Sequence, residues 1–228
     1  MAGVTHLQTL IQFRKIAAEV AAGKLSPQEA RRALREFLRE LGYRAPEGKA
    51  GTIQDLSSRR RMDVVIDTNA RMAAGWANYN RQLENTAQPG QRLVRVRQSR
   101  RPRNWAARWK EAAEAVGWEG VARGGQMVAL LSSPIWRKLS RFGLPYPPYD
   151  FNSGMGVLPV RAKECQDLGL YDPETTPDPN AAAPRPSMNE GVTASVQGIT
   201  PDLLEQARQL FEGVAEWDEA TQSFTMVE

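Results

Sequence analysis

The sequence has few of the residues that form metal centres and disulfides. Its 228 residues include one cysteine, Cys165, and one histidine, His6. A single cysteine excludes a disulfide within the chain, and this pair alone cannot build a Cys/His zinc site. No run of 18 or more apolar residues occurs, and the first residues lack the order of a signal peptide. We therefore expect no cofactor, no metal and no membrane partner, and we expect assembly inside a cell.

Acidic residues are scarce in one part of the chain and basic residues in the other. From Leu170 onward there are eleven acidic and two basic residues, a net charge of −9; because the whole chain carries +4, the first 169 residues carry +13. A basic body favours a polyanion or an acidic protein surface as its partner. The acidic tail favours either a different partner or the body itself.

The N-terminal residues 1–50 are predicted to form a helical hairpin. Apolar residues at helical spacing predict a first helix that ends near Gly23. Ser26-Pro27-Gln28-Glu29 is a capping box that begins a second helix ending at Gly42. Its arginines lie off the apolar stripe, which we interpret as a solvated face, with docking on another protein as the alternative.

The central feature is a long amphipathic helix from Arg59 to Leu83, with Thr52 and Asp55 predicted to cap its start. Thr68 and its neighbours are modest helix formers that prefer hydrogen bonds to nearby backbone. They predict a polar contact with another part of the fold, which is either ordinary packing or a special site. Its residues are Asp67, Asn69 and Arg71.

A basic run follows this helix, with eight positive residues and no acid between Arg92 and Lys110. Val94 and Val96 alternate with arginines, which predicts a half-buried strand that pairs with residues 127–131. The positive side chains could bind phosphate oxygens without sequence preference, or hold acidic groups of this fold such as Asp63, Asp67 or Asp150. These residues are Arg92, Arg95, Arg97, Arg100, Arg101, Arg103, Arg108 and Lys110.

Two segments frame the end of this region. Asn104 is predicted to cap a helix from Trp105 to Val116, whose tryptophans have the spacing of core residues. Residues 143–156 hold prolines, glycines and aromatic rings, which predicts an ordered loop packed by its own rings. A brief strand at Val157 and a helix from Pro159 to Leu168 should follow.

The order of these motifs resembles the Mu F-like minor head proteins of tailed phages, also called head morphogenesis proteins. The similarity covers Arg59 to Gly169: a helix with a Thr68-Asn69 pair, a strand, an Arg100–Arg103 turn, a tryptophan segment, and Pro147-Pro148 before a glycine turn. This resemblance implies a virion protein of the head, assembled in the host cytoplasm, with portal and capsid proteins as partners and double-stranded DNA as a further candidate.

The chain departs from the family pattern at two places. Asn104 stands near the position where the family often has histidine, and Ser153-Gly154-Met155 stands where many members have paired cysteines. A metal or disulfide role at these positions therefore does not carry over. We also expect no enzyme activity and no small-molecule substrate, because His6 and Cys165 lack activating neighbours and Asp63 and Asp67 have arginines beside them.

The remaining chain is predicted as a Pro-rich extended linker at 170–198 and an acidic docking helix at 199–228, with a terminal strand pair. The helix should dock on a neighbouring subunit or fold back on the body, through Leu203, Leu204, Leu210 and Phe211. We predict an α+β fold in which the long helix packs on a small antiparallel sheet in a head morphogenesis domain at 51–169. The alternative function is sequence-independent nucleic-acid binding.

Overall fold

The computed structural model describes residues 7–99, 102–118, 125–186, 193–195, 201–210, 212–213, 215–220 and 223–226. It divides into two compact units: a hairpin unit from residues 1–73 and 187–228, and a sheet unit from residues 74–186. Helix α3 (Arg59–Leu83) contributes its first part to the hairpin unit and its second part to the sheet unit. In the part of the chain described, no helix is long and apolar enough to cross a membrane.

The hairpin unit begins with the two predicted helices, α1 (Leu7–Ala21) and α2 (Pro27–Glu40). The capping box of α2 is confirmed, because Glu29 N donates to Ser26 Oγ at 3.3 Å while Ser26 N donates to the Glu29 carboxylate at 2.8 Å. One continuous apolar cluster joins α1, α2 and the first part of α3, with these buried members: Phe13, Ile16, Ala30, Leu34, Leu38, Met62, Val65 and Ile66.

Helix α3 has the predicted bounds, but its capping residue differs from the prediction. Thr52 and Asp55 do not cap it; the helix begins at Arg59, and Ser58 Oγ accepts from Arg61 N at 3.1 Å. Asp55 is used in the preceding turn, where its carboxylate accepts from Gly51 N and Ser57 N, both at 2.8 Å. The acceptor for the first turn must lie next to the first free N–H groups, and Ser58 has that place.

The C-terminal part of the hairpin unit contains β4 (Thr193–Ser195), α7 (Pro201–Leu210), β5 (Ala215–Asp218) and β6 (Ser223–Met226). The strands form an antiparallel sheet in the order β4-β6-β5. Ala207 of α7 and Phe224 of β6 are buried against each other, with Leu204 and Trp217 beside them. The predicted last helix and terminal strand pair are confirmed, and the helix packs on its own sheet.

The sheet unit contains β1 (Gly90–Arg95), β2 (Val128–Leu130) and β3 (Met155–Val160), antiparallel in the order β2-β1-β3. Its helices are α4 (Trp105–Ala115), α5 (Ile135–Leu139) and α6 (Ala162–Asp167). The second part of α3 lies against β1, where Gln82 Nε2 donates to Gly90 O at 2.8 Å and Gln91 Nε2 donates to Gln82 Oε1 at 3.0 Å. The predicted α+β fold with a long helix on a small antiparallel sheet is confirmed.

Two details of this sheet correct the sequence analysis. The buried face of β1 carries Gln91 and Leu93, whereas Val96 lies beyond the strand and is 58% exposed. A polar residue occupies the core face because Gln82 supplies its partner. Pro159 does not start a helix but lies in β3, an edge strand in which its missing N–H is tolerated.

The aromatic loop at 143–156 is ordered, as predicted, and its rings pack on helices as well as on one another. Tyr149 stacks on Trp136 with ring centroids 5.7 Å apart, and Tyr146 lies 5.9 Å from Tyr79 of α3. The Pro147-Pro148 peptide bond is cis. Gly75 of α3 allows this loop to approach, because a Cβ atom there would lie 1.9 Å from Pro147 O.

Residues 171–186 correct the linker prediction. They have no helix or strand, as their prolines require, but they contact the second part of α3. Trp76 Nε1 donates to Pro186 O at 2.9 Å, Tyr79 OH donates to Pro184 O at 3.0 Å, and buried Asn180 donates to Leu83 O at 3.1 Å. Composition did not predict these contacts because the partner residues lie about a hundred positions away in the chain.

Candidate anion-binding surface

Two arginines of the predicted basic run hold one buried carboxylate, that of Asp150, which is 4% exposed. Asp150 Oδ2 lies 3.3 Å from Arg103 Nε and 3.0 Å from Arg108 Nη1. Asp150 Oδ1 accepts from Phe151 N at 2.8 Å, and Arg103 also donates to Phe151 O at 3.0 Å. Two guanidiniums and a backbone amide therefore satisfy this carboxylate, an arrangement that stabilises a buried charge.

Helix α4 fixes the direction of Arg108. Asn104 caps the helix as predicted, since its side chain accepts from Ala107 N at 3.0 Å. The Arg108 guanidinium carbon lies 4.5 Å from the centroid of the Trp105 ring, in cation–π contact. Trp105 and Trp109 are buried, and Trp109 meets Trp136 edge to face at 5.2 Å. These rings belong to the core, so they do not offer a stacking surface for bases.

The end of β1 is held against the glycine turn. Val96 N and Arg97 N both donate to Gly154 O, at 2.9 and 3.0 Å. Gly154 has φ +66°, and a Cβ atom there would lie 2.3 Å from Arg97 O, so only glycine permits this approach. The backbone that carries Arg95 and Arg97 is thus fixed by residues almost sixty positions later.

The predicted cations differ in what their side chains contact. Arg92 forms an ion pair with Glu164 of α6, and Lys110 lies 3.8 Å from Glu114 one turn along α4. With Arg103 and Arg108 on Asp150, four members of the run contact acids of the fold. Of the acids considered from the sequence, Asp150 is the partner; Asp63 lies near Arg31 and Arg59, and Asp67 near Arg71.

The exposed end of β1 carries the two other described cations of the run. Arg95 and Arg97 are exposed, and Arg95 makes no ion pair with any residue that the structure describes. Arg100 and Arg101 lie outside the described residues. The candidate surface is therefore Arg95 and Arg97, beside the Arg103–Asp150–Arg108 cluster, in which two cations face one acid.

The structure also describes part of two other predicted sets, the polar contact of α3 and the docking residues of α7. Asn69 Nδ2 donates to Val65 O at 2.8 Å and Arg71 Nε lies 2.9 Å from Asp67 Oδ1, so these two contacts lie within α3. The polar contact with another part of the fold stays a prediction. Thr68 is buried. Of the predicted docking residues, Leu204 packs in the C-terminal cluster. The side chains of Leu203 and Leu210, and Phe211 as a whole, lie outside the described residues.

Cys165 and Tyr149, two residues whose side chains can react when ionised, are both buried. Cys165 is buried next to Val160, and burial, together with the charge of Glu164, raises the pKa of its thiol to about 11. A thiol of that pKa is protonated at neutral pH. Burial also raises the pKa of the Tyr149 hydroxyl. Among the described residues there is no group of three or more potential metal-ligating side chains of the His, Cys, Asp or Glu type.

Sequence reasoning missed Glu164 as the partner of Arg92 and the turn at Gly154 as the support of Arg97. The only signals were an acid on a short predicted helix and a glycine in an aromatic loop, neither of which specifies a distant partner. Comparison of the chain with protein-family models, with curated proteins and with solved structures found no match.

Proposed function

We propose that this protein is a minor head protein of a tailed phage, which acts without catalysis in capsid assembly near the portal. The observation that supports this most is the meeting of its family-like motifs. The strand end at Arg97, the arginine and tryptophan segments, and the loop after Pro147-Pro148 are separated in sequence, yet they form one packed site around Asp150 and Gly154.

The charge of this site indicates the chemistry of its partner. Asp150 cancels only part of the positive charge of Arg103 and Arg108, and Arg95 and Arg97 add exposed cations next to it. Guanidiniums on a fixed backbone suit phosphate oxygens or carboxylates, which they bind in a planar fork. Packaged DNA or an acidic surface of the portal is therefore the proposed contact of this face.

The second candidate is a nucleic-acid-binding protein that acts outside particles, and the same exposed arginines favour it. The two candidates differ in where the protein is found and in what binding depends on. Free nucleic-acid binding through Arg95 and Arg97 requires affinity that falls steeply with salt. Assembly into a head requires incorporation into particles.

The experiment is to express the full chain with an epitope tag in cells that produce the particles, and to separate DNA-filled particles on a density gradient after nuclease treatment. The proposal expects the chain to co-sediment with filled heads. A chain found only in the soluble fraction, and retained on DNA at low salt, would overturn the head assignment in favour of the second candidate.

A matched pair of variants then examines the site. Arg95→Ala/Arg97→Ala should reduce the slope of log affinity for DNA against log salt by roughly 2, since each lost phosphate contact contributes about 0.9. Lys24→Ala/Lys49→Ala removes two exposed lysines of the hairpin unit and should leave the slope unchanged. Equal effects of the two variants would show that only net charge matters.

A further inference from the structure

The hairpin unit carries a second basic surface, on the outward face of α2. Because Ala30, Leu34 and Leu38 are buried against α1 and α3, the opposite side of α2 points away from the core. That side forms a shallow groove of about 500 Å³ and will be called the α2 face. Its residues are Gln28, Arg31, Arg32, Arg35, Glu36 and Arg39.

Most of the charge on the α2 face is not neutralised by the fold. Arg31 is used internally, since its Nη1 donates to Asp63 Oδ1 at 2.7 Å. Arg32, Arg35 and Arg39 are exposed, and none of them forms an ion pair with any residue the structure describes. They recur at three- and four-residue steps, so their side chains project from one stripe of the helix that is about 10 Å long. This is a linear array of cations, in which Glu36 is the one acid that lines the groove and Glu29 lies near Arg32 one turn earlier on α2.

The C-terminal sheet presents the opposite charge. Phe224 and Trp217 face α7, and the antiparallel register places Glu216 opposite Thr225 and Asp218 opposite Ser223. Because side chains alternate along a strand, these polar residues belong to the face turned away from α7. Glu216 is exposed there, and Glu219 is exposed in the turn that follows. We call this surface the acidic sheet face.

The acidic sheet face has no competing cation from its own segment. Arg208 is the sole basic residue after Arg185 in the sequence. Its guanidinium lies 5.4 Å from the centroid of Trp217, one of the two rings that face α7. No ion pair joins α2 to residues 201–226 where the structure describes both. Glu216 and Glu219 form no ion pair with any residue that the structure describes, so their charge is complementary to that of the α2 face of a second chain.

We propose that copies of this chain associate head to tail, with the α2 face of one copy bound to the acidic sheet face of the next. The two faces differ, so the contact is heterologous and generates a ring or an open chain of subunits, in contrast to a two-fold dimer. Helix residues three or four apart are about 4.5–6 Å apart along the axis, so Glu216 and Glu219 can each meet a different arginine of the stripe. Such a contact is weak and strongly dependent on salt.

The experiment measures the mass of the full chain by sedimentation equilibrium at 50 and 500 mM salt. We expect concentration-dependent association at 50 mM that is lost at 500 mM. Arg32→Glu/Arg35→Glu/Arg39→Glu, and separately Glu216→Lys/Glu219→Lys, should each weaken association by about tenfold or more. Lys24→Glu/Arg44→Glu/Lys49→Glu changes the net charge as much as the first variant, at exposed residues outside the α2 face, and should weaken association less.

Mixing the two charge-reversed variants tests whether the α2 face of one chain binds the acidic sheet face of another. The first variant has two acidic faces and the second has two basic faces, so each should associate more weakly alone than an equimolar mixture of the two. A mixture that stays monomeric would overturn the proposal and indicate docking within one chain. A wild-type chain that is monomeric at 50 mM salt would also overturn it. Loss of DNA retention in the first variant, without any self-association of the wild type, would assign the α2 face to nucleic acid.

Discussion

Replacement of Asp150 by alanine should destabilise the sheet unit, because it removes the acid that holds Arg103 and Arg108. The Asp150 side chain is 6% exposed, whereas those of Arg103 and Arg108 are 38% and 32% exposed. Breaking a buried ion pair costs about 3–5 kcal/mol when the remaining charge stays buried. Here both guanidiniums can regain hydration, which reduces the cost. We expect the free energy of unfolding to fall by about 2–3 kcal/mol.

The assay is urea denaturation followed by tryptophan fluorescence. Trp105, Trp109 and Trp136 are all buried in the sheet unit, so their emission reports its unfolding. Asp150→Asn retains an acceptor for Phe151 N and should cost less than Asp150→Ala. Asp63→Ala removes a more exposed acid from the hairpin unit and serves as the control, with an expected loss below about 1 kcal/mol.

A double-mutant cycle isolates the pair itself. Asp150→Asn combined with Arg108→Gln should show a coupling free energy of about 1 kcal/mol, because the two side chains are in contact. If Asp150→Ala unfolds within 0.5 kcal/mol of the wild type, and the coupling is zero, the carboxylate does not organise the arginines. Arg103 and Arg108 could then bind an external anion, and the candidate anion-binding surface would include them.

Three further predictions concern stability. Gly75→Ala, which would stabilise an ordinary helix, should cost at least about 2 kcal/mol in urea unfolding because its Cβ would overlap Pro147 O; a gain would refute the close approach. Since the Cys165 thiol has its pKa raised to about 11 from 9.0, the unfolded thiol ionises first and stability should fall by roughly 2 kcal/mol from pH 9 to pH 11. Cys165→Ala should reduce this loss by roughly 2 kcal/mol and leave the smaller part due to Tyr149, whose pKa is also raised by burial; an unchanged loss in Cys165→Ala would show that the thiol does not contribute. Tyr79→Phe should lose about 1 kcal/mol with the hydrogen bond to Pro184 O, and an unchanged midpoint would show that bond to be unimportant.

Elements whose signals are local were predictable from the sequence. The capping box at Ser26 and the cap at Asn104 specify helix starts through contacts three residues long, and both are present. The α3 stripe was predictable for the same reason, because helical spacing repeats within the element. The bounds of α3 were predicted correctly, but its cap was wrongly assigned because two capping candidates, Asp55 and Ser58, lie within one turn of each other.

Features that depend on distant partners were not predictable in the same way. Gln91 takes a core position that a polar residue rarely occupies, and only the Gln82 side chain, nine residues earlier, makes this favourable. The segment around Asn180 has the composition of a linker, yet its amide bonds to the C-terminal end of α3. Composition reports how much apolar surface a segment can bury, and it does not report hydrogen bonds supplied by another element.

Ion pairs with distant residues also decide which basic segments of the chain stay charged on the surface. The run from Arg92 to Lys110 is the densest cluster of cations in the sequence, but its acids are supplied from outside it, by Glu164 and Asp150 and by Glu114 on the same helix. Helix α2 looks nearly balanced, because it holds three glutamates and four arginines. Its periodicity nevertheless turns the arginines to one side, where Arg31 alone forms an ion pair with a described residue. A partner responds to the charges that folding leaves unneutralised, so the modest run on α2 offers a more continuous cationic surface than the dense one.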